Sequence, residues 1–336
     1  MTDRAARGRA PAFLVTIDTE GDDLWSRPRR IETRNARFLP RFQRLCESHG
    51  LRPTYLVDYE MARCPAFREL GLDLVSRNAG EIGMHLHGWN TPPLVPLTRD
   101  DLHFQPYLME YPEAVVERKL RTMTDLLEER FGRRMVSHRA GRWGLTRAYA
   151  RRLVAQGYLV DCSVTPHVSW RAHPGSPSGR GGPDFRRFPD AAYFPDLDDL
   201  RRAGASPLLE VPMTITARAG TVGRIGRALG GNRARLLRAA GRRLARPSWL
   251  RPSGSNLAAM LAILDHAHAR RADYVEFMLH SSEFMPGGSP TFRTKESIET
   301  LYRHLDELFG AARERFVGLT LAEYRQRLAP AEGIAS

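Results

Sequence analysis

The amino-acid sequence predicts an α/β fold: a distorted (β/α) barrel of about seven parallel strands, a single domain carrying a basic helical insertion. Two observations predict it. Short apolar runs alternate with stretches whose apolar residues return every three or four positions, the pattern of parallel strands joined by crossover helices. Acids and histidines fall at the carboxyl ends of those runs, where parallel β/α folds gather their reactive groups. A chain of 336 residues is long enough to close one such barrel.

In chain order, the first apolar runs are residues 12–18 (AFLVTID), 54–58 (TYLVD) and 81–87 (EIGMHLH), with helices expected over 35–49 and 65–78 between them. The alternation continues with a helix over 112–131, a strand over 135–139, a helix over 146–156 and a strand over 158–163. From residue 165 the pattern lapses into Pro, Gly, Ser and Arg (SWRAHPGSPSGRGGPDFRRFPD). Because strands and helices resume afterwards, residues 165–205 read as an irregular excursion within the barrel and not as a linker. Strands follow at 208–214 (LLEVPMT), 273–280 (DYVEFMLH) and 316–319, covered by helices over 255–268 and 295–314. The barrel therefore spans residues 10–328. Seven strands in one series favour closure over the alternative, an open doubly wound sheet.

No run approaches the eighteen or so apolar residues of a spanning helix, and the opening MTDRAARGRAPAF has no signal-peptide core, so a cytoplasmic location is expected. Cys46, Cys64 and Cys162 are too few and too scattered for a disulfide framework or a thiolate zinc site. The net charge of +13 concentrates between Glu210 and Asp265, where no acid interrupts a series of arginines from Arg218 to Arg251. Val222, Ile225, Leu229, Leu236, Leu237 and Leu244 recur there at helical spacing. Residues 216–252 thus read as an Arg-rich amphipathic insertion. Its residues 218–251 either touch an anionic membrane peripherally, at about 1 kcal/mol per basic residue near the surface, or pack on the barrel with solvated arginines. Nucleic acid is not an expected partner, because no aromatic residue interleaves with the arginines before Trp249.

The polar strand ends carry the chemistry. Asp18, Glu20, Asp22 and Asp23 close the first run; His85 and His87 the third; Ser137, His138 and Arg139 the fourth; Asp161 and Ser163 the fifth; and His280, Ser281 and Glu283 follow the last long one. Residues two apart on extended chain project to one side, so Asp18 with Glu20, and His85 with His87, present pairs. Two imidazoles and a carboxylate form a common ligand set for a catalytic divalent ion. Such an ion acidifies water and polarises a carbonyl, as hydrolysis of an unactivated amide requires. Each residue alone has a plainer reading: Asp18 as a helix cap, the histidines as core residues, Arg139 as a surface arginine. Convergence of five strand ends outweighs these. His138, adjacent to Arg139 and so facing away from it, reads as a core residue or one behind the site.

At this point TIDTEGD, EIGMHLH, SHRAG, VDCS and FMLH, in that order from Asp18 to His280, resemble the motifs of the polysaccharide deacetylase (NodB-homology) family of carbohydrate esterases. The resemblance implies a distorted barrel and removal of an N-acetyl group from a sugar or glycan precursor with a divalent metal, most often Zn2+. It makes Asp18 the general base, Glu20, His85 and His87 the metal ligands, and His280 the general acid. Arg139 and Asp161 become a charge pair that aligns Asp18, and Trp89, Arg142, Trp143 and Ser281 flank the substrate. The chain departs from the pattern in three places. Thr19 stands where many members carry a second Asp, passing the ligand role to Glu20 with Asp22 in reserve. Trp89 takes the place of the usual second histidine, and Ala140 and Gly141 replace a proline pattern after Arg139. Two other readings stand beside this one: a metal-independent amidohydrolase of small cyclic or linear amides on the same scaffold, and a non-catalytic glycan-binding protein. The basic segment suits a lipid-linked or nucleotide-linked sugar as substrate.

Overall fold

Every residue of the first strand, β1 (Ala12–Thr19), is buried. A strand achieves this when both faces of its sheet are covered, and then it must be apolar nearly throughout. The computed structural model describes residues 10–217 and 247–328. After β1 come β2 (Thr54–Val57), β3 (Glu81–Leu86), β4 (Ser137–Ala140), β5 (Val160–Asp161), β6 (Pro195–Asp196), β7 (Asp199–Ala203), β8 (Leu209–Glu210), β9 (Ile215–Ala217), β10 (Pro247–Trp249), β11 (Tyr274–His280) and β12 (Val317–Leu319). Seven of these, in the order β11-β1-β2-β3-β4-β5-β8, pair in parallel and curl into the predicted distorted barrel. β12 pairs in parallel with the start of β1. Among the described residues no ladder joins β8 to β11, and the seam is crossed by other contacts. Thr214 Oγ1 accepts from Glu276 N at 2.8 Å, and the Tyr274 hydroxyl donates to Pro212 O at 2.6 Å.

Alternation along the strands sorts the residues. Phe13, Val15, Ile17, Tyr55, Val57, Met84, Phe277 and Leu279 belong to the main core, beneath α1 (Leu39–Ser48), α3 (Pro65–Arg77), α5 (Glu113–Phe131), α7 (Leu257–Ala269) and α8 (Lys295–Arg313). Each such side chain contributes about 1.5–3 kcal/mol by leaving water. Leu14, Leu56, Val160, Cys162, Leu209 and Tyr274 form a second cluster on the other face, closed by Leu321 and Tyr324 of α9 (Leu321–Leu328). The site occupies the polar positions of this second face, nearer the carboxyl ends.

Several details differ from the sequence expectation. The helix expected from residue 35 opens as a 3-10 turn (Arg34–Phe38) and becomes α1 only where Pro40 sits in the first turn. Within the excursion, β6 and β7 pair as an antiparallel ribbon, and β9 and β10 form another; neither has the alternating apolar signal of a strand. The short helices α2 (Tyr59–Arg63), α4 (Asp101–Phe104) and α9 were not expected, whereas α6 (Arg147–Ala155) was. Most of the Arg-rich insertion, residues 218–246, and with it the expected membrane contact, lies outside the described residues. Among the described residues no helix is long and apolar enough to cross a membrane. All three cysteines are buried and free.

Candidate active site

Backbone register decides which polar residues meet. Asp18 is the register partner of His280 on the neighbouring strand, and His85 that of Arg139, so each pair projects to the same side. His280 Nε2 lies 3.8 Å from Asp18 Oδ2 and 3.6 Å from Glu20 Oε1. His85 Nε2 lies 3.9 Å from Asp18 Oδ2 and 3.5 Å from Glu20 Oε2, and His87 Nε2 3.1 Å from Glu20 Oε2. Asp18, Glu20, His85, His87 and His280 thus converge on one point, and all but His280 are buried.

Glu20, His85 and His87 each offer one ligand atom, all within 4.8 Å of one another. Two imidazole nitrogens and a carboxylate fit a divalent transition ion. The ring of His85 is aimed accordingly: Arg139 O only accepts, so His85 Nδ1–H donates to it at 3.1 Å and leaves the Nε2 lone pair facing the acids. His87 is packed against Gly141, where an added Cβ would come within 2.4 Å of Nδ1. Ser281 is bound back to back with Glu20: its hydroxyl accepts from Glu20 N and donates to Glu20 O, both at 3.1 Å.

The electrostatics follow from burying this charge. Burial pushes the Asp18 carboxyl up, but Arg139, then His85 and His280, outweigh it and hold Asp18 below the usual carboxylate range. Burial likewise opposes ionisation of Glu20, and His280, His85 and His87 together drive it far below its ordinary value. Burial lowers His85, yet the two acids facing it win and raise it, whereas for His87 burial wins. The point where these groups meet draws positive charge.

His280 is held from behind. Glu283 Oε2 lies 3.1 Å from His280 Nδ1, accepts from His280 N at 3.0 Å and accepts from Arg251 Nη2 at 3.0 Å. With Glu283 on the Nδ1 side, Nε2 is left to face Asp18 and Glu20. Trp25 packs edge-on against the same ring at 4.7 Å. Glu283 was noted in the sequence only as a strand-end acid, Arg251 only as the last arginine of the basic segment, and Trp25 carried no signal, because their contact with His280 depends on loops.

Other expected residues take different places. Asp161 is in register with His138 and not with Arg139, so alternation sends it to the face opposite Arg139, and the expected Arg139–Asp161 pair does not form. Its carboxylate lies 2.6 Å from His138 Nδ1 and accepts from the Ser163 hydroxyl at 2.9 Å, while His138 Nε2 lies 2.8 Å from the Tyr149 hydroxyl. Asp161 organises the buried polar layer behind the sheet. Asp22 is no reserve ligand: it accepts from Asn35 N at 2.9 Å and Arg34 Nε at 2.9 Å and pins the loop after β1. Arg142 donates to the carbonyls of Gln105 and Pro174 and lies over Tyr107, tying the excursion to the loop after α4. Trp143 covers the Arg139 guanidinium, 5.1 Å from ring centroid to Cζ, and packs on Trp170 and Trp249. Arg142 and Trp143 both adopt left-handed backbone, φ 54° and 61°, which non-glycine residues adopt at a cost. Trp89 is buried 5.0 Å from His87, ring to ring, with no hydrogen-bond partner for Nε1 among the described residues.

No family model and no curated protein sequence matches the chain. Solved structures do. One described as a glycoside hydrolase/deacetylase from Parabacteroides distasonis is 13% identical over 94% of this chain and 71% of that one, with a TM-score of 0.57. A 4-alpha-glucanotransferase from Thermococcus litoralis is 13% identical with a TM-score of 0.52, and the match spans 96% of this chain but only 41% of that enzyme. A polysaccharide deacetylase structure from Mycobacterium smegmatis is 14% identical over 95% and 93% of the two chains, with a TM-score of 0.49. In fold, then, the chain resembles the Parabacteroides distasonis structure over most of both chains, and a part of the larger glucanotransferase.

Proposed function

We propose that the protein is a metal-dependent hydrolase that removes an N-acyl group, acetyl in the first instance, from a sugar or glycan precursor. The observation that carries the reading is the meeting of Asp18, Glu20, His85, His87 and His280, from three separate strand ends, within hydrogen-bonding and ion-pairing distances. Glycan chemistry as the substrate class is supported by the descriptions of two of the similar structures, a glycoside hydrolase/deacetylase and a 4-alpha-glucanotransferase.

Glu20, His85 and His87 would hold the ion, Zn2+ by donor type, which supplies polarisation of the acyl carbonyl and acidification of water. Asp18, kept ionised by Arg139, takes the proton from the attacking water as general base. His280 gives a proton to the departing amine, with Glu283 behind its ring and Trp25 along its edge. Trp143 and Trp25, neither fully buried, offer apolar faces beside Arg139 and His280, and Trp89 backs the His87 ring. Arg251, at the rim beside His280, is the described residue of the basic segment nearest the chemistry.

Acetate release measured across N-acetylated oligosaccharides, sugar nucleotides and lipid-linked sugars tests the reading. The expected outcome is metal-dependent release with at least one class, lost by about two to four orders of magnitude in Asp18→Asn and by roughly two or more in His280→Ala. Full activity after chelation on small amides instead would install the metal-independent amidohydrolase. A folded protein that binds glycans but turns none over would install the non-catalytic reading.

A further inference from the structure

The Arg139 guanidinium is completely buried, so the protein itself must meet its charge and its donors. Nε donates to Cys162 O at 3.1 Å, Nη1 to Asp18 Oδ1, and Nη2 to Thr16 Oγ1 at 2.9 Å and to Glu276 Oε1. Sequence reasoning gave the arginine one partner acid besides Asp18 and placed it on β5. The structure supplies that acid from β11 instead. Glu276 lies four residues before His280 on the same strand and so projects to the same side, in register with Leu14 while Asp18 is in register with His280. The Thr16 hydroxyl donates to the same Oε1 at 3.0 Å, closing a cluster of Asp18, Arg139, Thr16 and Glu276. Glu276 is 0% exposed, and among the described residues its Oε2 has no partner within ordinary hydrogen-bond geometry. A carboxyl left half unsatisfied in the interior is costly, and its charged contact is with the arginine that grips Asp18.

We propose that Glu276 is a positioning residue of the reaction. Cys162 O on Nε and Thr16 Oγ1 on Nη2 orient the guanidinium through neutral contacts alone; charged acids on both branches of the fork fix its plane far more strongly. Glu276 holds the second branch of Arg139 and thereby sets the Asp18 carboxylate so that Oδ2 faces His85 and His280. The role depends on Asp18 acting as the base of the reaction proposed above, but the geometry on which it rests does not.

Glu276→Gln keeps the size of the side chain and removes its charge; Glu276→Asp keeps the charge and shortens the reach. The metal-loaded variants are assayed on the best N-acetylated glycan and their crystal structures determined. The expected result for Glu276→Gln is a kcat at least about tenfold lower at unchanged KM, with Arg139 turned off Asp18, and partial recovery of kcat in Glu276→Asp. A Glu276→Gln protein that keeps both kcat and the Arg139–Asp18 contact overturns the proposal. If Glu276→Gln does not fold, Glu276→Asp carries both readouts: kcat and an Arg139–Asp18 contact equal to those of the unaltered protein overturn the proposal, and loss of either supports it. If the unaltered protein hydrolyses no glycan amide, the proposed function fails, and the Arg139–Asp18 contact in the variant structures alone decides the role of Glu276.

Discussion

At the scale of single residues, two buried glutamates are displaced in opposite directions. Burial pushes Glu276 up from its ordinary 4.5 to about 7, more than Arg139 pulls it down. The folded state therefore holds the proton more tightly than the unfolded chain. Its contribution to stability is complete below pH 4.5 and is lost as pH rises through about 7, up to roughly 3 kcal/mol for a shift of this size. Glu276→Gln is expected to flatten the fall of the urea midpoint between pH 5 and 8, and a slope equal to that of the unaltered protein would contradict this. For Glu283, burial is outweighed by Arg251 and His280, which hold it at about 2. Its contribution is present above pH 4.5 and lost as pH falls toward 2. The convergence of the residues proposed as catalytic groups and ligands was legible in the sequence because Asp18, Glu20, His85, His87 and His280 stand at strand ends in pairs or after long apolar runs. Their supporting acids were not: Glu276 is one more polar residue inside YVEFMLH until register sets it beside Arg139, and Asp161 looked like its partner until alternation turned it away.

At the scale of elements, close approach and capping give the sharpest expectations. Gly141→Ala drives a Cβ to within 2.4 Å of His87 Nδ1 and 2.8 Å of Leu86 O, so His87 must move. Zn2+ affinity by titration calorimetry is expected to fall about tenfold or more, with β4 itself unaltered. Helix α8 starts on Thr294, whose side chain accepts from Ser297 N while Ser297 accepts from Thr294 N. Thr294→Ala is expected to cost about 1 kcal/mol in chemical denaturation. Long helices such as α5 and α8 were visible as sustained periodicity over nineteen residues each. β5 and β8 are two-residue ladders within longer apolar runs, and hydrophobic pattern cannot say how much of a run pairs. The ribbons β6/β7 and β9/β10 bury few apolar side chains, Leu200 in the first and Ile215 with Trp249 in the second, too few to leave a periodic trace in residue type.

At the scale of the whole molecule, an ion that binds the folded state alone adds to its stability by mass action. Zn2+ at a hundredfold excess over its Kd is expected to stabilise the protein by about 2.7 kcal/mol, read as a rise in Tm that a chelator reverses and that His85→Ala abolishes. No change in Tm with any divalent ion would contradict the assignment of Glu20, His85 and His87. Asp18 and His280, the two groups proposed to handle protons, are 262 residues apart in the chain yet face each other across one ladder rung. Their backbones are held one inter-strand spacing apart, about 4.8 Å, which sets the 3.8 Å between His280 Nε2 and Asp18 Oδ2 and which insertion, deletion or reshaping of the surrounding loops leaves untouched. On the proposed function, selectivity for one sugar over another drifts in those loops while the distance a proton must cross stays fixed.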